Sequence, residues 1–214
     1  MNDRLDEIEI RVLGALLEKE LATPEAYPLS LAALTAACNQ KSSREPVMSL
    51  QEATVLDAVN ALMKKHMVRE RSGAGSRVVK YAHRFSDVLD PAEELPRPQR
   101  ALLSLLMLRG PQTLGELRTR SARMHEFQDL MEVEQVLGEM AARPQGAQVA
   151  ELPRQPGQRE RRFMHLLGGD VPPPGAAQPV PLMDDTAARL AALEEEVAML
   201  RQELASLRAM LGQR

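Results

Sequence analysis

Apolar positions in the first half of the chain recur at three- and four-residue steps in three separate runs, each closed by polar or proline-containing stretches, and then give way to short apolar strands. From Ile8 to Leu17 the residues Ile10, Leu13, Ala15, Leu16 and Leu17 cover one broad face. They predict a buried first helix, led by acids that suit the positive end of its dipole and stopped before Thr23-Pro24. Ser30 caps a predicted second helix, Leu31 to Cys38, in which Leu31, Leu34 and Cys38 share a face. The polar run Asn39 to Pro46 is longer than the turn of a compact helix-turn-helix, and its proline disfavours helix in the residue before it. A third helix is expected from Leu50 to Lys65, opened by a capping box of Ser49 with Glu52. Val55, Val59, Leu62 and Met63 would face inward, with Glu52, Asp57, Asn60, Lys64 and Lys65 in water. Met67 and Val68 begin a strand, Gly73 to Ser76 make a turn, and Tyr81-Ala82-His83 lies on the returning strand.

The same pattern then repeats. Phe85 to Pro98 carries three prolines and reads as a linker with one helical turn at Ser86 to Leu89. Pro98 fits the first turn of a helix through Leu102, Leu103, Leu105 and Leu106, closed by Gly110-Pro111. Thr113 with Glu116, and Asp129 with Glu132, mark two further helix starts, and Val149 to Leu152 pairs with Arg161 to Leu167 as a hairpin. Leu13 and Leu17 match Leu102 and Leu106; Ser30 matches Thr113; Tyr81-Ala82-His83 matches Phe163-Met164-His165. The expected fold is mainly α with small β-hairpins (α+β): two tandem winged-helix domains plus a C-terminal coiled-coil helix. The boundaries are 1–90 for the first domain, 91–97 for a linker, 98–168 for the second domain, 169–183 for a Pro/Gly linker and 184–214 for the coiled coil.

In that last segment Leu190, Leu193, Val197, Leu200, Leu204, Leu207 and Leu211 form an unbroken heptad seam. In a parallel pair the flanking contacts Arg189 with Glu194, Glu196 with Arg201 and Glu203 with Arg208 are all attractive, which predicts a homodimer. Each exposed pair adds only about 0.2–1 kcal/mol, so the charges select orientation more than they supply affinity. A helix folded back on its own domain is the alternative.

Charge changes the picture locally rather than globally. The net charge of -3 favours no class of partner, yet Lys64 to Arg84 holds seven basic residues against the single acid Glu70. The single cysteine, Cys38, excludes an internal disulfide and suits a reducing cytoplasm, and on an apolar helical face it reads as core. No secretion signal or membrane-spanning run is visible, so no membrane partner is expected. Four dispersed histidines at no ligand spacing and the lack of a glycine-rich phosphate loop after a strand point away from metal, cofactor and enzyme chemistry. His83 and His165, at equivalent hairpin positions, favour a shared structural role.

Several long strings carry a family resemblance: Leu17-Glu18-Lys19, Thr23 to Leu31, Ala37 to Val47, Arg118 to Ser121 with Met124-His125, Leu152 to Glu160, and His165-Leu166-Leu167. In these the chain resembles the YceH-type family of bacterial cytoplasmic proteins. The resemblance implies two winged-helix domains and transfers no catalytic residue.

The functional expectation is a non-enzymatic winged-helix protein that binds double-stranded DNA or acts in transcription. Phosphate contacts are expected from Lys41, Ser42, Ser43 and Arg44 before the third helix, from Arg71, Arg77 and Lys80 on the hairpin, and from Arg154 and Arg159 in the second domain. Arg118, Arg120, Arg123, Arg161 and Arg162 add to the second set. Acids on both third helices (Glu52, Asp57; Glu132, Glu134, Glu139) repel phosphate and move the expected contact onto the hairpin turn and the basic entry at Lys41 to Arg44. The alternative is a protein-protein adaptor that docks a partner through Asn39 to Val47, where Asn39-Gln40 otherwise serves to close a long turn and Tyr27 to pack.

Overall fold

The computed structural model describes residues 4–71, 78–84, 95–144, 146–154 and 160–169, all within one compact unit, Met1–Val171. The turn Gly73 to Ser76, the helical turn Ser86 to Leu89, Arg77, Arg159 and the whole heptad seam Leu190 to Leu211 lie outside the described residues.

The architecture is α+β, and its order of elements occurs twice. The first set is α1 (Glu7–Ala22), a single 3-10 turn at Pro24–Ala26, β1 (Leu29–Ser30), α2 (Leu31–Cys38), α3 (Glu52–Lys64), β2 (Val68–Arg71) and β3 (Lys80–His83). The second is α4 (Arg97–Arg109), β4 (Gln112–Thr113), α5 (Leu114–Ser121), α6 (Leu130–Ala141), β5 (Val149–Glu151) and β6 (Arg162–His165). Each set closes an antiparallel three-stranded sheet with the last strand in the middle, β1-β3-β2 and β4-β6-β5. The registers correspond: Leu29 pairs Tyr81 where Gln112 pairs Phe163, and Val68 pairs His83 where Val149 pairs His165. The match of Tyr81-Ala82-His83 with Phe163-Met164-His165 therefore holds strand by strand. The short third strands, β1 and β4, have no sequence signal of their own, because two residues are too few to alternate.

Capping fixes most helix starts. Ser30 accepts from the Ala33 amide at the head of α2, and Thr113 and Glu116 form a reciprocal capping box on α5. Asp129 accepts from the Glu132 amide, while the Glu132 carboxylate turns to the Gln128 amide instead of closing the box. The expected box of Ser49 with Glu52 does not form. Gln51 stands at the N-cap of α3 with no side-chain bond, and the helix begins at Glu52 rather than Leu50. The Leu50 amide is already bonded to the Asn39 side chain, which holds Leu50 in the preceding loop. α1 has a box of its own, Asp6 with Glu9, and runs through Ala22, five residues beyond the apolar run that announced it.

Two helices form the centre. In α1 every residue from Arg11 to Leu17 is buried, and in α4 every residue from Ala101 to Leu108. A helix buried all round needs neighbours on opposite sides: α1 packs on α2 and α3 within its own set and on α4 of the other. The single broad face expected of α1 is thus a full circumference. Gly14 makes the α1–α4 approach possible, because a Cβ there would sit 3.0 Å from Met107 Cβ and 3.2 Å from the Leu108 side chain. Met107 Cβ is tied to backbone and cannot turn aside.

Gly14 and Gly138 are both helical, but nothing lies within 4 Å of a Cβ at Gly138. Gly138→Ala should raise stability by about 0.5–1 kcal/mol through helix propensity. Gly14→Ala should forfeit that gain, and Gly14→Val should cost about 1–3 kcal/mol through overpacking. Urea-unfolding midpoints of the three variants check this.

Candidate nucleic-acid interface and a basic cleft

The Asn39–Val47 loop is built into the core rather than laid over it. Asn39 bridges its ends, donating from Nδ2 to the Leu50 carbonyl at 2.8 Å and accepting from the Leu50 amide at 2.7 Å. Arg11, 2 % exposed on α1, donates to the Cys38 carbonyl at 3.2 Å and to the Pro46 carbonyl at 2.6 Å. Arg44, 4 % exposed, faces Glu18 of α1 in a two-pronged pair of 3.1 and 2.6 Å and also donates to the carbonyls of Ala37 and Ser43. Burial pushes the Glu18 carboxyl up, but hydrogen bonds from Arg44 and its charge outweigh this and hold it below the ordinary range. Burial, and then the charge of Arg44, lower the Arg11 guanidinium. The loop is tied to α4 as well, since the Glu45 amide donates to the Leu108 carbonyl at 2.8 Å and Arg109 donates to the Ser43 hydroxyl at 2.8 Å.

These contacts divide the four loop residues expected to meet phosphate. Arg44 is withdrawn, its guanidinium bonded to the protein's own oxygens. Lys41 and Ser42 are exposed, and Ser43 is half-buried with its backbone in the left-handed region at φ 61°. The three line a cleft of about 570 Å³ with Glu18, Lys19, Gln40, Arg109, Arg120 and Arg123, floored by Leu105 and Met124. Arg109 was not singled out in the sequence, where it stands as an ordinary last-turn cation before Gly110. Arg11 and Glu18 were missed too, although their seven-residue spacing puts them on one stripe of α1.

The first hairpin forms a second basic surface. Arg71 pairs directly with Lys80, and Arg69 with Ala82. Cross-strand partners and alternate residues share a face of a sheet, so Arg69, Arg71 and Lys80 stand together on one side, all exposed. Val68, Tyr81 and His83 are buried on the other side. Among the described residues none of the three cations has an acid partner. Like charges directly opposite one another destabilise a hairpin, so this face carries an electrostatic cost that an anion would relieve.

The second hairpin has the same frame and different charge. By register Ala150 and Leu152 stand where the first has Arg69 and Arg71, and Arg162 stands where it has Lys80. Arg162 lies 3.8 Å from Glu116, and Arg161 pairs with Glu134 and, at 3.5 Å, with Glu151. Arg154 is exposed nearby, and Arg118 donates to the carbonyls of Phe127 and Gln128. The outer faces of α3 and α6 are acidic as expected, with Glu52, Asp57, Glu134 and Glu139 exposed.

The remaining chemistry is structural. Cys38 is buried and its thiol is pushed up to about 12 by desolvation, which makes it unreactive. The Tyr27 hydroxyl accepts from the His83 amide at 2.8 Å, and its ring packs beside His83. His83 and His165 share a register position but not an environment: His83 Nε2 lies 2.8 Å from Glu20, whereas burial pushes His165 down to about 4. Among the described residues no group of three His, Cys, Asp or Glu could hold a metal ion, and no helix is long and apolar enough to cross a membrane.

Comparison with known proteins places these surfaces in a family. A family model described as "Protein of unknown function, DUF480" matches residues 5–158. A UPF0502 protein of Enterobacter sp. (strain 638) is 51% identical over the whole of both chains. One of Shewanella amazonensis is 52% identical over 95% of this chain and 97% of its own. The UPF0502 protein YceH of Salmonella paratyphi B is 47% identical over the whole of both.

Removing one partner of a buried pair leaves the other uncompensated. Arg44→Met should therefore cost about 3–5 kcal/mol, and adding Glu18→Gln should recover part of it. Because the Glu18 carboxyl is lowered in the folded state, its contribution is complete above the unfolded value of about 4.3 and is lost as pH falls through the folded one. Acid unfolding followed by circular dichroism should show a shallower pH dependence in the double variant than in the wild type.

Proposed function

The chain belongs to the DUF480 family, and we propose that it is a non-enzymatic DNA-binding protein made of two tandem winged-helix modules, over residues 1–90 and 98–168, of which the first contacts the duplex. The observation that carries this is the cationic face of the first hairpin, Arg69, Arg71 and Lys80, which has no acid partner among the described residues, set against its charge-compensated counterpart in the second. In a winged helix the hairpin lies along the phosphate backbone while the third helix approaches the major groove. With Glu52 and Asp57 on the outer face of α3, the helix contributes little attraction, and binding is led by the hairpin through counterion release. Such contacts fix position on the duplex without reading base sequence. Dimerisation through the heptad seam would set two hairpins on one duplex and raise avidity.

The adaptor alternative draws on a different observation. Val47 on the loop and Leu130 and Met131 at the head of α6 are exposed apolar side chains. Val78 and Val79, also exposed, stand beside Lys80 on the hairpin, so the exposed apolar residues fall on three separate segments of the chain, which is why the charged hairpin leads.

Fluorescence anisotropy of a labelled duplex titrated with the full chain at two salt concentrations tests the proposal. Three phosphate contacts predict a log–log salt slope of about -3. Arg69→Glu, Arg71→Glu and Lys80→Glu together should abolish binding, while Arg161→Glu should leave it unchanged. Salt-insensitive binding, or undiminished binding by the triple variant, would refute the DNA proposal and bring the adaptor forward.

A further inference from the structure

The cleft beside the Asn39–Val47 loop holds more positive charge than the fold requires. Five cations line it, Lys19, Lys41, Arg109, Arg120 and Arg123; the acid described among its lining residues, Glu18, is shared by Arg44 and Lys19, and Arg120 pairs with Glu116 at 3.1 Å. Helix dipoles account for part of this, because Arg109 and Arg120 lie in the last turns of α4 and α5, where cations are favoured. They do not account for Lys41 and Arg123. Both lie outside the helices, both are exposed, and neither has an acid partner among the described residues.

Deeper in the cleft, Arg109 Nε is buried without a hydrogen-bond partner. Burial, and then the like charges of Arg120 and Arg44, lower its guanidinium, so the neighbourhood disfavours the very cation it contains. An anion would reverse that cost. Ser43, whose hydroxyl accepts from Arg109, holds a left-handed backbone that only a well-determined surrounding maintains in a residue other than glycine. Conformations of this kind gather where a ligand is clamped.

We propose that this cleft is a binding site for a small phosphorylated molecule, with Lys41 and Arg123 closing on its phosphoryl oxygens and Arg109 reaching them from within. The volume of about 570 Å³ suits a small ligand. Arginine's planar fork matches phosphate oxygens, and lysine adds a point charge. Among the described residues no aromatic ring lines the cleft to stack on a nucleobase, and its apolar surface comes from Leu105, Met124 and Ala22. The class is therefore a phosphate or pyrophosphate ester with a short aliphatic body rather than a nucleoside. The site joins the loop to the second set of helices and is separate from the hairpin face.

Isothermal titration of the full chain with pyrophosphate at low salt tests the site. Saturable binding is expected, weakened at least about tenfold in Lys41→Ala/Arg123→Ala, a double variant with an unchanged melting temperature because among the described residues neither side chain has an acid partner to lose. Arg71→Glu/Lys80→Glu should bind pyrophosphate as the wild type does, whether or not the protein binds DNA. No saturable heat, or equal affinity in the Lys41/Arg123 variant, would overturn the proposal. Displacement of pyrophosphate by a short duplex would also overturn it, by showing that the cleft serves backbone phosphate instead.

Discussion

The structure depends on one electrostatic constraint: two buried arginines, Arg11 of α1 and Arg44 of the Asn39–Val47 loop, must find acceptors, and they find them across the contact between helix and loop. Among the described residues Arg11 makes no ion pair, and it relies on the carbonyls of Cys38 and Pro46. Arg44 has Glu18 and two further carbonyls. A buried charge without partners is far more costly than any single apolar contact is favourable, so the loop cannot leave α1 without taking the Pro46 carbonyl from Arg11 and Arg44 from Glu18. The same loop then reaches α4 through Glu45 and Ser43. A segment that composition would assign to the surface is in effect a strut between the two sets of elements.

Around that strut the chain uses one topology twice and gives each copy a different charge. The pairing registers of the two hairpins coincide, so their differences lie in side chains and not in backbone. Where the first hairpin has Arg69 and Arg71 the second has Ala150 and Leu152, and the cations the second retains are matched by Glu116, Glu134 and Glu151. Charge compensation makes the second hairpin a structural element. Among the described residues the first hairpin has no such compensation, so Arg69, Arg71 and Lys80 repel one another across its exposed face. Duplication supplies the comparison that a single copy would lack.

Periodicity and capping made much of this legible in the sequence. Ser30, Thr113 and Asp129 named their helices because a side-chain oxygen at the right offset meets an orphan amide, and Gly110, at φ 70°, closed α4. Ser49 failed for a non-local reason: Asn39, eleven residues earlier, had already captured the Leu50 amide. The pair match of the hairpins survived because strand register repeats every two residues, and an error of one would have exposed Tyr81 and Phe163. What pattern alone does not reveal is convergence. Arg109 looks like a helix end, Arg44 like a free phosphate contact and Arg11 like a polar interruption, and each acquires its role from a partner more than 25 positions away. The basic cleft has the same origin, drawing residues from both sets.

If the loop is a core element held by Arg11 and Arg44, its amides should resist solvent as core amides do, and native-state hydrogen exchange measures this directly. The amides of Glu45 and Leu50, bonded to Leu108 and Asn39, are predicted to exchange only with global unfolding, at the pace of Leu16 and Leu17 in α1. Exchange of Glu45 and Leu50 at the rate of an open surface loop, while α1 stays protected, would contradict the account.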